Sequence, residues 1–248
     1  FVSVPTPSNR NGSMNIDILE SVLSDIQKVN RRGGNIILVR STVLPGTTNA
    51  LAKKFTKLNI VFNPEFLTES SAKFDFINQS RFIIGGRKRF TARVADLFRW
   101  RFGDSMPIIE TTWETAEMVK YMNNCFFATK VSFMNEMKLV AEKQGNIDWD
   151  MAVEGFIRDG RVGHSHIHVP GPDGKKGFGG SCFPKDMQAM ISFGEDLGMD
   201  LNTLQGAWET NCEVRPERDW EKLEGRAIVT ETKNGETKYR QETTKRSS

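Results

Sequence analysis

Short apolar runs and stretches with helical apolar spacing take turns along the first hundred residues. Continuous apolar runs predict four strands buried on both faces: residues 1–4, 35–40, 59–62 and 81–86. Apolar positions three and four residues apart predict three helices: residues 16–29, 45–58 and 89–102. Strands that alternate with helices in this way predict an open α/β sheet of parallel strands.

From residue 111 onward the apolar spacing is helical throughout. Thr111 and Glu114 have the spacing of a capping box, and neither glycine nor proline interrupts the chain before Gly145. A helix of about 33 residues would span roughly 50 Å, and its wide apolar surface suits burial on two sides. Three shorter helices are predicted after it: residues 148–157, 185–197 and 201–214. The predicted fold class is therefore α/β followed by all-α.

Composition and charge narrow the class of protein. The chain has 248 residues and a formal net charge of +3 with interspersed signs, which argues against a dedicated nucleic-acid surface. Its three cysteines are odd in number and far apart, so neither a disulfide framework nor a zinc knuckle is indicated. No apolar run approaches membrane-spanning length. We expect a cytoplasmic protein and, because an intact chain seldom begins inside a core strand, residues upstream of Phe1.

Candidate chemistry is densest in residues 177–186, Gly-Phe-Gly-Gly-Ser-Cys-Phe-Pro-Lys-Asp. Three glycines in four positions predict a backbone pressed against a neighbour that leaves no room for side chains. If Pro184 lies in the first turn of a helix, Cys182 lies near the helix N-terminus, where the macrodipole and Lys185 favour a thiolate. Asp186 could then activate water. The alternative is a glycine loop before a helix, with a buried structural cysteine.

Polar residues follow the predicted strands at the edge where open α/β sheets bind ligands. Ser41 and Thr42 come after one strand and Glu65 after another. Lys120 and Asn124 are four residues apart and share a face of the long helix. The alternatives are that Ser41 and Thr42 only cap a helix and that Glu65 is a solvated carboxylate. Lys120 would then be an exposed lysine beside a hydrogen-bonded Asn124.

Three histidines also alternate along the chain, at His164, His166 and His168. On a strand they would point the same way, which suggests a metal site. The segment leads into a Pro-Gly loop, however, and this favours an interpretation without a metal.

Six segments resemble motifs of the UDP-glucose/GDP-mannose dehydrogenase family, most closely its UDP-glucose-specific members, and in the family's order. They are residues 4–7, 41–43, 63–69, 120–124, 159–163 and 177–186. They span about residues 1 to 225, and such an ordered set is far more specific than any single motif. The resemblance implies a partial Rossmann-like NAD-binding domain at 1–110, a helical central domain for dimerisation and catalysis at 111–224, and a short strand or hairpin with a tail at 225–248.

The resemblance also implies roles for individual residues. Catalytic roles fall on Thr42, Glu65, Lys120, Asn124, Cys182 and Asp186. Contacts with NAD fall on Val4, Thr6, Pro7, Ser41, Thr42, Glu69 and Lys185. Contacts with the sugar nucleotide fall on Glu65, Phe66, Leu67, Lys120, Asn124, Arg161, Phe178 and Gly179. A homodimer through the long helix is implied, with Arg161 reaching the neighbouring subunit's site, and no metal is needed.

The reaction that the resemblance implies is two successive hydride transfers to NAD, which turn the C6 alcohol of a sugar nucleotide such as UDP-glucose into a carboxylate through a Cys182 thiohemiacetal and thioester. Two features of the family are missing from the sequence: a Gly-x-Gly-x-x-Gly turn after a strand, and the third domain that holds UDP. In place of that domain, residues 227–232 and 237–241 flank a predicted hairpin turn.

Two hypotheses therefore stay open. The chain is part of an active dehydrogenase, or it is a truncated, non-catalytic remnant that acts as a dimerisation or ligand-binding module. A relative of 6-phosphogluconate-type dehydrogenases would share the layout but would not explain the cysteine.

Overall fold

The computed structural model describes residues 1–9, 11–30, 34–68 and 71–230 and divides into two compact units. The first unit comprises Phe1–Pro7 and Met14–Met122. The second comprises Ser8–Ser13 and the described residues from Asn123 onward. The domain boundaries predicted near residues 110 and 224 stay predictions.

The first unit is built on a four-stranded sheet whose order follows the chain: β1 Ile36–Val39, β2 Asn59–Phe62, β3 Phe82–Gly85 and β4 Ile108–Thr111. β1 pairs parallel with β2 and β3 with β4, whereas β2 and β3 are antiparallel. The sheet is therefore mostly parallel rather than wholly so. Apolar runs locate strands but carry no information on direction, which depends on the path of the connecting segment.

The predicted strand at residues 1–4 is reduced to one parallel bridge beside β1. The backbone N–H of Val2 donates to Leu38 (2.8 Å), and that of Arg40 donates to Val2 (2.8 Å). Val2 is buried as predicted. This bridge brings the residues after Val2 next to the residues after β1.

Successive residues of β1, β2 and β3 alternate between two apolar clusters, one on each face of the sheet. Val39, Ile60 and Ile83 belong to one cluster, while Val61 and Ile84 belong to the other. Because both faces are buried, each of these strands appears in the sequence as a continuous apolar run. The prediction of doubly buried strands is confirmed for β1, β2 and β3.

In the described part of the first unit, four helices accompany this sheet: α1 Asp17–Val29, α2 Thr47–Lys54, α3 Ala72–Ile77 and α4 Lys88–Phe102. α2 ends four residues before the predicted position, because a turn separates it from β2. Both α3 and β4 were missed, since each is short and has no strong apolar periodicity.

The long helix, α5, runs over Trp113–Gln144 and passes from the first unit into the second. The capping box was placed one residue too early: Thr111 ends β4, and the hydroxyl of Thr112 accepts the backbone N–H of Thr115 (3.2 Å). The remaining helices are α6 Trp149–Ile157, α7 Phe183–Asp196 and α8 Asn202–Val214, with a 3-10 turn at Asp219–Lys222. The prediction of an α/β part followed by helices is confirmed.

Two other sequence predictions have different outcomes. Residues 164–168 form a bend and a turn followed by irregular chain rather than a strand, so the alternating histidines do not share a face in the way that the metal hypothesis assumed. The predicted hairpin beyond residue 230 lies outside the described residues.

Candidate functional site

The loops that follow the Val2 segment and β1 are hydrogen-bonded to each other in the first unit. The backbone N–H of Val4 donates to the Ser41 hydroxyl (2.8 Å), and the Thr6 hydroxyl donates to the Thr42 carbonyl (2.8 Å). Pro7 continues the same loop, and its carbonyl accepts the backbone N–H of Asn15 (2.8 Å). Five of the residues predicted to contact NAD therefore lie in one place, at the carboxyl ends of neighbouring parallel segments. We call them the strand-end group: Val4, Thr6, Pro7, Ser41 and Thr42.

Glu65 is anchored at both its backbone and its side chain. Its carboxylate forms a salt bridge with Arg40 and accepts the backbone N–H of Phe66 (2.9 Å). Its carbonyl accepts a hydrogen bond from the Lys120 ammonium. The alternative of a freely solvated carboxylate is therefore wrong. Sequence reasoning missed Arg40, although a charged residue at the end of a continuous apolar strand is a signal.

Lys120 is buried (7% exposed), so the alternative of an exposed lysine is wrong as well. Its ammonium lies 5.5 Å from the centroid of the Phe66 ring, which also faces the Arg81 guanidinium at 4.7 Å. Leu67 follows in the same loop and is half-buried. Glu69, predicted to contact NAD, lies outside the described residues.

A buried carboxylate that sequence reasoning also missed, Glu117, lies one helical turn before Lys120. It accepts the backbone N–H groups of Gly46 and Thr48 (2.7 Å each) at the N-terminus of α2. Burial raises the pKa of Glu117 to about 7, although these hydrogen bonds favour its ionised form. The carboxylate thereby connects α5 to the helix that follows Thr42.

In the second unit, Cys182 directly precedes α7, and Pro184 lies in the first helical turn, as predicted. The Cys182 carbonyl accepts the backbone N–H of Asp186 (3.0 Å), which begins the helical hydrogen bonding. The cysteine is exposed, so the alternative of a buried structural cysteine is wrong. A nucleophilic thiol must be accessible in this way.

Asp186 is almost fully buried (1% exposed), and both of its carboxylate oxygens have partners. One accepts the Asn124 side-chain amide (2.6 Å), and the other forms a salt bridge with Lys185. Lys185 thus forms an ion pair with the Asp186 carboxylate, which the sequence did not predict. Cys125, on α5, lies against the Asp186 carbonyl, and burial raises the pKa of its thiol. The structure brings Asn124, Asp186 and Lys185 together in the second unit.

The glycine loop before Cys182 is pressed against α8, as the glycine spacing predicted. A Cβ atom at Gly177 would collide with Asn211, and one at Gly179 would collide with the Arg215 guanidinium. Gly177 also has a positive φ of 69°. The Phe178 side chain is buried and packs edge-on against Phe183 (centroids 6.0 Å apart).

Arg161 lies in another loop and is exposed, with its guanidinium on the Asp159 carboxylate (2.9 Å from Nε). Nearby, the Lys130 ammonium donates to the carbonyls of Val162 and Gly163. His166 stacks on Phe127 (4.3 Å between centroids), and burial lowers its pKa. Within the described ranges, no group of three His, Cys, Asp or Glu side chains is arranged to hold a metal ion.

Two models of one protein family match this chain. Residues 1–100 match the "UDP-glucose/GDP-mannose dehydrogenase family, NAD binding domain" and residues 114–213 the central domain of that family. The chain belongs to the UDP-glucose/GDP-mannose dehydrogenase family. The resemblance of the six sequence motifs is thereby confirmed.

Similar proteins from bacteria and archaea share this assignment. The UDP-glucose 6-dehydrogenase TuaD of Bacillus subtilis is 32% identical over 87% of this chain and 46% of its own length. A UDP-glucose 6-dehydrogenase of Rhizobium meliloti is 34% identical over 92% and 52%. The solved UDP-glucose dehydrogenase of Pyrobaculum islandicum superimposes with a TM-score of 0.72 at 33% identity, covering 85% of this chain and 48% of its own. The chain thus spans about half the length of these dehydrogenases.

NAD is the cofactor of this dehydrogenase family. The strand-end group fits part of a dinucleotide, because hydroxyl and backbone groups meet at the sheet edge where such ligands bind. The sequence has no Gly-x-Gly-x-x-Gly turn for the pyrophosphate. None of the helices in the described part of the chain is long and apolar enough to cross a membrane.

Proposed function

We propose that this chain carries the reaction centre of a nucleotide-sugar 6-dehydrogenase that oxidises the C6 alcohol of UDP-glucose to the carboxylate of UDP-glucuronate. The observation that carries the proposal is the exposed thiol of Cys182 at the N-terminus of α7. UDP-glucose is the proposed substrate because the bacterial relatives named above are UDP-glucose 6-dehydrogenases.

The first oxidation removes a proton from the C6 hydroxyl while hydride leaves C6. NAD, when bound, accepts the hydride of each oxidation. We assign the proton to a water held by Asp186, and charge stabilisation of the developing alkoxide to the Lys120 ammonium. Burial of both side chains supports these roles, because charges act more strongly where water is excluded.

The second oxidation needs a tetrahedral carbon, since a carbonyl carbon alone cannot release hydride. The Cys182 thiolate adds to the aldehyde carbon, and the oxygen takes a proton to give a thiohemiacetal. Loss of hydride and of that proton gives a thioester. Water activated by Glu65 or Asp186 then displaces the thiol and releases the carboxylate. Lys120 and Asn124 stabilise the oxyanions formed on the way.

The test is NADH formation at 340 nm with UDP-glucose and NAD, measured on the chain, on Cys182→Ala and on Cys212→Ala. Cys212, on α8, is a matched cysteine without an assigned role. We expect two NADH per sugar from the parent and from Cys212→Ala, and a loss of at least about a thousandfold in Cys182→Ala. Uronate release at the parental rate by Cys182→Ser would refute the thioester route.

Complete inactivity of a folded parent chain would instead support the non-catalytic alternative. Isothermal titration with UDP-glucose and with NAD then distinguishes a ligand-binding module from one that only dimerises.

We further propose that the protein is a homodimer through α5. Apolar side chains project from one exposed stripe of this helix in the second unit: Phe126, Phe133, Met137 and Val140. Their spacing of seven, four and three residues keeps them on one face. Light scattering should show a dimer that Phe133→Glu converts to a monomer, whereas Lys143→Glu near the end of α5 should leave the dimer intact. A parental monomer would exclude this proposal.

A further inference from the structure

Two buried asparagines hydrogen-bond to the backbone of the glycine loop in the second unit. Asn211, on α8, accepts the N–H of Phe178 (2.6 Å) and donates to the carbonyl of the same residue (3.0 Å). Asn135, on α5, accepts the N–H of Gly177 (3.1 Å). Both asparagines are at most 2% exposed. Their amides supply partners for loop groups that belong to no helix or strand.

A third side chain closes the other side of this loop. The Arg215 guanidinium lies where a Cβ atom of Gly179 would be. It is held there by Asp173 (2.7 Å) and by both carboxylate oxygens of Asp219 (2.7 and 2.8 Å). These hydrogen bonds raise the pKa of Arg215, so the guanidinium stays charged. The backbone from Gly177 to Gly179 is therefore held from α5 and from α8.

Asparagine is a poor helix former, and burying its amide costs free energy unless every polar atom is bonded. Asn211 lies inside α8, yet both of its side-chain polar atoms bond to the loop rather than to its own helix. The loop ends at Cys182, four residues after Phe178. The Cys182 carbonyl accepts the hydrogen bond that begins α7. The asparagines thus hold the stretch of backbone that leads into Cys182.

We propose that Asn211, assisted by Asn135, is a positioning residue that keeps Cys182 at the N-terminus of α7 by fixing the backbone of Gly177 and Phe178. This inference rests on the proposed role of Cys182 as the nucleophile. A helix N-terminus favours the thiolate of a cysteine held there. Without the amide, the loop and its thiol move away from that end.

The test is the rate at which iodoacetamide alkylates Cys182, followed by peptide mass mapping that separates it from Cys125 and Cys212. It needs neither sugar nor NAD. At pH 7 we expect Asn211→Leu to react about two- to fivefold more slowly than the parent, the size of a helix-end effect on one charge. Above about pH 10 the two rates should converge, because free thiols are ionised there.

The matched control is Ser132→Ala, which removes a buried hydrogen bond from Ser132 on α5 to the Ala207 carbonyl of α8 (2.6 Å) and does not touch the loop. It should lower the melting temperature and leave the alkylation rate unchanged. If Asn211→Leu lowers stability but reacts like the parent at every pH, the positioning role is refuted and the residue is only structural. Should Asn211→Leu not fold, Asn135→Leu removes a single loop hydrogen bond and tests the same expectation.

Asn211→Asp supplies a second readout. A protonated carboxyl group can accept from the Phe178 N–H and donate to its carbonyl as the amide does, whereas a carboxylate faces that carbonyl with a negative charge. Asn211 is fully buried, and burial raises the pKa of a carboxyl group, so an aspartate there should be protonated at low pH and ionised at high pH. We therefore expect its alkylation rate, divided by the parental rate, to be near one at pH 5.5 and to fall to the Asn211→Leu ratio by pH 8. A constant ratio would contradict the proposal.

The result of the alkylation experiments does not depend on the proposed reaction. Loss of positioning is measured on the thiol alone, whereas failure of the proposed function is measured by uronate release from Cys182→Ser.

Discussion

The N-termini of α2 and α7 differ in whether a side chain caps them. At α2, the buried carboxylate of Glu117 accepts the backbone N–H groups of Gly46 and Thr48. At α7, the side chain of Cys182 does not cap the helix, and its thiol is exposed. Free N–H groups and the helix dipole attract negative charge at both ends. The protein's own carboxylate occupies the α2 end, whereas the α7 end bears an exposed thiol, which is the proposed nucleophile.

A helix N-terminus thus has a buried structural partner in the first unit, and in the second unit it lies beside the thiol to which we assign reactivity under the proposed function. The α2 terminus is stabilised by a partner on another helix, so its loop is held without a free functional group. The α7 terminus instead depends on the preceding glycine loop and on the side chains that hold it. Substitutions at the two ends should therefore have very different effects.

The largest expected effect is that of Glu117→Ala. It leaves two N–H groups of α2 without their acceptor and opens a cavity, so we expect the free energy of unfolding to fall by about 4 kcal/mol. Urea denaturation followed by circular dichroism measures the loss. Glu114→Ala, one turn earlier on α5, is the control and should cost about 1 kcal/mol, because Glu114 is only partly buried and accepts the Asn49 side-chain amide rather than the backbone N–H groups that begin α2. Equal losses in both variants would contradict the capping role.

The charge state of Glu117 should make stability depend on pH. The pKa of its carboxyl group is raised from 4.5 to about 7, so folding takes up a proton between these values. Its contribution is fully present below pH 4.5 and is lost as the pH rises towards 7. Relative to Glu117→Gln, the parent should lose up to about 3 kcal/mol over this window.

Urea denaturation of both proteins at several pH values checks this dependence. The negative charge of Glu114 also raises the pKa of Glu117, and Glu114 is unchanged in both proteins. A pH-independent difference between the two would show that burial does not control this carboxyl group.

The glycine loop allows a comparison at the α7 end. Gly177 and Gly180 both have positive φ values, 69° and 71°, but a Cβ atom meets Asn211 only at Gly177 and open space at Gly180. We expect Gly180→Ala to cost about 1 kcal/mol from backbone strain and Gly177→Ala about 3 kcal/mol from strain plus overpacking. Thermal unfolding measures both, and equal costs would mean that Asn211 moves aside.

The smallest expected effect is that of Cys182→Ala on stability. The side chain is exposed and caps nothing, so the free energy of unfolding should change by less than about 0.5 kcal/mol. The same denaturation experiment measures it. A loss as large as that of Glu117→Ala would remove the contrast between the two helix ends.

The predictions that succeeded rest on local patterns. The apolar runs located β1, β2 and β3, and the long uninterrupted pattern predicted α5 to within about two residues at each end. Pro184 indicated the first turn of α7 and so the place of Cys182. The antiparallel pairing of β2 with β3 was not predicted, because side-chain burial on two faces is the same for either strand direction.

By itself, the sequence determined the order of the helices and strands other than α3 and β4, the strand ends where the predicted NAD contacts lie, and the glycine-rich turn that leads through Cys182 into α7. Only the tertiary structure decided the partners: Arg40 with Glu65, Glu117 with α2, and Asn211 with Phe178. These partners are separated by 25 to 71 residues. Apolar periodicity and turn signals act over a few neighbouring residues, whereas the pairing of buried polar groups depends on which elements the folded chain brings into contact.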